Sequence, residues 1–138
     1  MKIVPYLYFN GNARDAFNFY VSALNALPAP ILTYGEGPGS ENFPDNVKNL
    51  VMHTELILGD DLIYISDATP DNGAIAGDNV VLNINCDSDE QITAFFTNLS
   101  KDAKEITAEL EDMFWGAKFG SFVDQFGISW SLNFEHKS

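Results

Sequence analysis

His53 and Glu55 stand two residues apart in an apolar, β-branched run from Leu50 to Leu58. On a strand that spacing puts both side chains on one face. An imidazole beside a carboxylate can act as a general base or give two donors to a divalent ion. It can equally be a polar pair that hydrogen-bonds within its own cluster. The other histidine, His136, falls in the C-terminal tail, where exposure is expected.

A second group is aromatic. Phe114, Trp115 and Phe122 could wall a planar or apolar ligand, with Lys118 holding an anionic group, or they could simply pack a core. Gly116 beside Trp115 suggests a loop, whereas Trp130 reads as core. Strand parity places Tyr64 and Ser66, Asn83 and Asn85, and His53 with Glu55 on a ligand-facing side, with Lys118 joining them if its register holds. Ser129 and Ser131 would join them from the last strand, opposite Ile128, Trp130, Leu132 and Phe134. These amides and hydroxyls could hydrogen-bond a ligand or hold trapped water. No Ser/His/Asp grouping in a nucleophile setting is present, and Gly35-x-Gly37-x-Gly39 lacks the strand-to-helix context of a phosphate loop.

The elements that must position these residues come in two similar series. Ile3 to Phe9 reads as a strand that Pro5 places at an edge, Asn12 as an N-cap, and Ala13 to Leu24 as an amphipathic helix. A short strand near Pro30 to Tyr34 precedes a Pro/Gly-rich loop over 35–49, either a cover for a site or a disordered insertion. Strands over Leu50 to Leu58 and Leu62 to Ser66 follow, joined by Gly59-Asp60-Asp61. The series then repeats: a strand over Val80 to Asn85, a cap at Asp87 or Ser88, and a helix over Glu90 to Leu99. Short strands around Glu105 to Ala108, Ala117 to Val123 and Ile128 to Phe134 complete it. Each half leaves one sheet face open to water, so two halves (about 1–70 and 78–135) are expected to form one domain over 1–138. Their curved mixed sheet would enclose a cup, with helices on the convex side, making an α+β fold.

Composition narrows the partners. The chain has 138 residues, 46% hydrophobic and 13% aromatic, which suits one folded domain. Its 20 acidic and 7 basic residues leave a net charge of −13. Nucleic acid and anionic membrane surfaces would be repelled, and no Lys/Arg cluster offers an exception. A single Cys86 rules out an internal disulfide, and no Cys/His ladder suggests structural zinc. With no secretory h-region and no apolar run near the ~20 residues of a membrane span, a cytoplasmic location is expected.

Three segments carry a resemblance. Pro5-Tyr6-Leu7-Tyr8-Phe9-Asn10-Gly11-Asn12-Ala13 with Ala16 and Phe19-Tyr20 is the first, and Met52-His53-Thr54-Glu55-Leu56 is the second. The third is Asp112-Met113-Phe114-Trp115-Gly116-Ala117-Lys118-Phe119-Gly120, leading to Asp124-Gln125-Phe126-Gly127-Ile128-Ser129-Trp130. Together they resemble, almost end to end, the PhnB-like branch of the glyoxalase/bleomycin-resistance/dioxygenase (vicinal oxygen chelate) superfamily. The resemblance implies paired βαβββ modules and, often, a homodimer. Metal-using members carry His, His and Glu at places that here hold Pro5, Leu82 or Asn83, and Ser131, so no cofactor is expected. A divalent metal held by His53 and Glu55 stays open. The branch is often described as a demethylubiquinone methyltransferase domain, but a glycine-rich strand-to-helix loop for a nucleotide-like cofactor is missing. The expected function is the binding of a small organic molecule. The alternative is a metal-dependent or metal-free lyase, isomerase or dioxygenase-type enzyme using His53 and Glu55.

Overall fold

Alternating aromatic residues start the chain's first strand, and helical spacing of apolar residues starts its first helix. The computed structural model describes residues 1–136. It divides into two units, Met1–Ile75 and Ala76–Ser138, each with its own sheet.

In the first unit β1 (Tyr6–Phe9) leads into α1 (Ala13–Leu24). Two short strands follow, β2 (Leu27–Pro28) and β3 (Leu32–Thr33), and then the long strands β4 (Val51–Leu58) and β5 (Asp61–Asp67). β1 is an edge strand running parallel to β5, with Tyr6 opposite Tyr64 and Tyr8 opposite Ser66. Regular pairing begins after Pro5, which has no N–H to donate; its carbonyl accepts from the Tyr64 amide at 2.9 Å. β4 pairs antiparallel with β5, placing Glu55 opposite Tyr64, and carries β2 and β3 on its other side. Ala13, Ala16, Phe17, Tyr20, Ala23 and Leu24 of α1 are buried, as are Thr54, Leu56, Ile63 and Ile65 of the sheet. α1 packs on β4 and β5. Residues of the opposite parity, among them His53, Glu55 and Tyr64, therefore look away from the helix.

Asn12 holds the N-cap position of α1, as expected, but its side chain makes no cap bond. The buried Asp67, at the end of β5, takes that role from across the sheet: its Oδ1 accepts from the Gly11 and Ala13 amides at 2.9 and 3.0 Å, and its Oδ2 accepts from the Val51 amide at 3.0 Å. A carboxylate there satisfies orphan amides and faces the positive end of the helix. The 35–49 segment is built of short turns: 3-10 turns at Tyr34–Glu36 and Ser40–Asn42, then α2 (Asp45–Lys48), whose Val47 is buried. The Tyr34 hydroxyl ties it to the sheet by donating to the Asp67 carbonyl at 2.8 Å.

The second unit repeats the connectivity. β6 (Leu82–Asn85) leads to α3 (Asp89–Leu99), then β7 (Glu105–Asp112), β8 (Ala117–Val123) and β9 (Ser129–Glu135), in the order β6-β9-β8-β7. As in the first unit, the first strand runs parallel to the last. β7 is longer than the sequence suggested, because two register irregularities let it follow β8 over its length. Ser88 caps α3 by accepting from the Gln91 amide at 3.0 Å, as expected. Ile92, Phe96 and Leu99 of α3 are buried, and so are Phe122, Trp130 and Leu132 of the sheet. The fold is α+β, made of two βαβββ units.

Candidate functional site

On the helix-free face of the first sheet, alternation and register bring side chains of three strands together. β1 contributes Tyr6 and Tyr8, β4 contributes His53 and Glu55, and β5 contributes Tyr64. Tyr6 Oη and His53 Nδ1 lie 2.8 Å apart, a hydrogen bond whose direction follows the imidazole tautomer. The other ring nitrogen, Nε2, is 3.8 Å from Glu55 Oε1, an ion-pair distance when the ring is protonated but too long for a hydrogen bond. The Tyr6 ring stacks on Tyr8 with centroids 4.8 Å apart and meets Tyr64 edge-on at 5.3 Å. His53 meets Tyr64 edge-on at 4.9 Å. The rings stay accessible: Tyr6 is 40% exposed and Tyr8 51%. Partial burial, then the neighbouring Tyr8, raises the Tyr6 pKa above the ordinary phenol value, so the group stays neutral well beyond physiological pH.

His53, Glu55 and Tyr64 are thus brought together, and Tyr6 and Tyr8 complete a cluster that local reading did not assign. The signal was present in their alternation, but their closeness to His53 depends on the parallel pairing of β1 with β5. Ser66 shares the strand parity yet is buried, and its hydroxyl donates to the Val51 and Asp67 carbonyls at 3.3 and 3.2 Å. It presents nothing to a ligand.

The second sheet's helix-free face is a polar ladder. The Ser131 hydroxyl donates to Asn83 Oδ1 at 2.8 Å, and Asn83 Nδ2 donates to Asn85 Oδ1 at 2.9 Å. Ser129 stands on the same strand face, paired with Val123.

Two expected members of this second group belong elsewhere. The β8–β9 register sets Phe122 opposite Trp130 and Lys118 opposite Phe134, on the side packed against α3. Phe122 is a core residue, edge-on to Phe96 at 5.3 Å. Lys118 reaches Asp89 in the first turn of α3 at 3.0 Å. Trp115 is 56% exposed on the β7–β8 turn, edge-on to an exposed Phe114, so no wall with Phe122 forms. His136 follows β9 and is exposed, as expected, with its ring 2.9 Å from Asp112.

The positions that the resemblance matches to the metal ligands of the superfamily hold Pro5, Leu82 or Asn83, and Ser131. Pro5, Leu82, Asn83 and Ser131 supply no imidazole or carboxylate, and Asn83 and Ser131 are bonded to each other. Among the described residues no three His, Cys, Asp or Glu side chains gather as a metal site.

Two βαβββ units of this order make a glyoxalase/bleomycin-resistance-like fold. A family model described as 3-demethylubiquinone-9 3-methyltransferase matches residues 1–133, and the chain belongs to this PhnB-like family. It is 30% identical to Protein YjdN of Escherichia coli (strain K12), over 96% of this chain and 95% of that protein. The crystal structure of protein PA1353 from Pseudomonas aeruginosa superposes with a TM-score of 0.87 at 32% identity, covering 99% of each chain. The PhnB protein from Bacillus cereus superposes with a TM-score of 0.74 at 28% identity, over 97% of this chain and 99% of that one. A glyoxylase/bleomycin resistance protein/dioxygenase domain from Frankia, 12% identical with a TM-score of 0.68, shares the fold; it covers all of this chain (100%) and 94% of its own.

Proposed function

We propose that this protein binds a small organic molecule on the helix-free face of its N-terminal sheet, and that binding rather than turnover is its task. The observation that carries the reading is the cluster of Tyr6 and Tyr64 against His53, with Tyr8 stacked on Tyr6, left partly open to solvent instead of folded into the core. Tyrosines that present both an apolar ring and a hydroxyl suit a ligand of mixed character. Methyl transfer with a nucleotide-like cofactor finds no support at the start of α1, because the Gly11 and Ala13 amides are already bonded to Asp67. Two copies of the chain are expected to associate, as its resemblance suggests, and sedimentation velocity would test this.

The test of binding is saturation-transfer NMR with a chemically diverse mixture of small molecules on the wild type and on Tyr6→Ala and Tyr64→Ala. The reading expects ligands bound by the wild type whose signal falls at least about fivefold in both variants. Ligands that ignore both substitutions contradict it.

A second reading rests on the Tyr6–His53 contact at 2.8 Å and the His53–Glu55 approach at 3.8 Å. These groups could move a proton to or from a bound substrate as acid and base. They could also give two donors to a divalent ion. Metal analysis of chelator-free protein separates these outcomes: stoichiometric Ni, Zn, Mn or Fe that is lost in His53→Ala favours the metal enzyme.

A further inference from the structure

Charge around the tyrosine cluster narrows the ligand that the binding reading leaves undefined. Of the cations of the N-terminal unit, Lys2 and Lys48 are engaged elsewhere, and Arg14 stands on α1, which packs on the opposite face of this sheet. Lys2 Nζ donates to the Asp60 carbonyl at 2.9 Å, and Lys48 lies 3.7 Å from Asp45. Among the described residues Glu55 therefore has one ion-pair partner, His53 Nε2 at 3.8 Å, which compensates it only when protonated. The carboxylate is about one-third exposed and sits opposite Tyr64 in the register.

We infer that the ligand held by this face is an organic cation, a protonated or quaternary amine, seated on the faces of Tyr6, Tyr8 and Tyr64 with its charge toward Glu55. The inference rests on the binding reading above. Ring faces carry the negative part of the aromatic quadrupole and attract a cation within about 6 Å of the centroid. The three rings lie within 4.8–5.3 Å of one another along the chain of contacts, so one ligand of modest size can touch more than one. The raised Tyr6 pKa keeps that ring a neutral phenol at working pH, with its hydroxyl bonded to His53. An anion would meet Glu55, which among the described residues has no lysine or arginine within ion-pair distance. A neutral aromatic would stack but add no charge to face the carboxylate. The chain's net charge of −13 adds a long-range field of the same preference.

The experiment is calorimetric titration at low ionic strength with benzyltrimethylammonium, benzyl alcohol and benzoate, backed by amide NMR shifts to place each probe. The cation is expected to bind at least about tenfold more tightly than either other probe, with shifts at Tyr6, His53 and Tyr64. Glu55→Gln should weaken the cation about tenfold while leaving benzyl alcohol unchanged, and Tyr64→Leu should weaken both. If Glu55→Gln does not fold, as judged by circular dichroism, the wild type's salt dependence substitutes for it. Cation affinity should then fall several-fold between about 20 and 300 mM NaCl, while benzyl alcohol holds constant. Equal binding of the three probes, or a salt-independent cation, overturns the inference. If benzyl alcohol or benzoate alone occupies this face, the cation inference fails and the small-molecule reading stands. If no probe and no member of the diverse mixture binds this face, both fail.

Discussion

Asp124 shows what a single side chain holds together at the end of the chain's most distinctive motif. It is fully buried, and its Oδ1 accepts from the Phe126 and Ile128 amides at 2.8 and 3.0 Å. Its Oδ2 accepts from Trp130 Nε1 at 2.8 Å. The Asp-x-Phe-Gly-x-Ser-Trp segment is thus explained by one carboxylate that closes the β8–β9 turn and satisfies the indole that the core must bury. Asp124→Asn replaces one acceptor oxygen with an amide that faces a donor, so it should cost about 2–3 kcal/mol by urea unfolding. A loss under about 0.5 kcal/mol would refute that role. Cys86 is buried, and burial first, then the Asp87 charge, pushes its thiol up to about 11. At pH 8 its thiolate is scarce, so iodoacetamide should modify it about a hundredfold more slowly than a free thiol. Alkylation at the free-thiol rate, followed by mass spectrometry, would contradict this. A thiol raised in the folded state favours folding below its ordinary value, and that contribution is lost as pH climbs toward 11.

At the scale of elements, sequence periodicity located helices and long strands well because those signals are local. α1 spans the residues expected of it, and α3 begins one residue earlier than read. What local patterns could not provide was pairing between distant strands. Asn12 does hold the N-cap position of α1, but the capping bonds come from Asp67, over fifty residues away in the chain. Lys118 and Phe122 do share a face, yet register with β9 turns that face toward α3, where Asp89 attracts the lysine. Tyr6 and Tyr8 joined the candidate site only once β1 was seen beside β5.

Gly120 explains another part of the third motif. A Cβ there would lie 2.6 Å from Phe96 Cε2 and 3.2 Å from the Leu110 Cα. The Phe96 ring is itself packed edge-on to Phe122 and has little room to yield. Gly120→Ala should therefore destabilise the second unit by about 1–3 kcal/mol in chemical denaturation. A stabilised or neutral variant would show that α3 can shift to accept it.

For the molecule as a whole, the repeat was the most informative feature of the sequence. In both units the first strand runs parallel to the last, which pairs in turn with the strand before it; the repeated order of strands and helix was legible in the sequence, and this pairing was not. Function was less legible, because the scaffold supports many chemistries and the residues that carry it meet only through tertiary pairing. With 20 acidic and 7 basic residues, self-repulsion opposes the compact state. Raising NaCl from about 20 to 300 mM should accordingly raise the thermal midpoint by a few degrees, and a fall would contradict the charge argument.

The most direct measurement is a crystal structure of this chain soaked with the tightest organic binder found in solution. The account predicts ligand density over Tyr6, Tyr8 and Tyr64, within contact of His53 and Glu55. Density confined to any other surface, with those five side chains untouched, would contradict it.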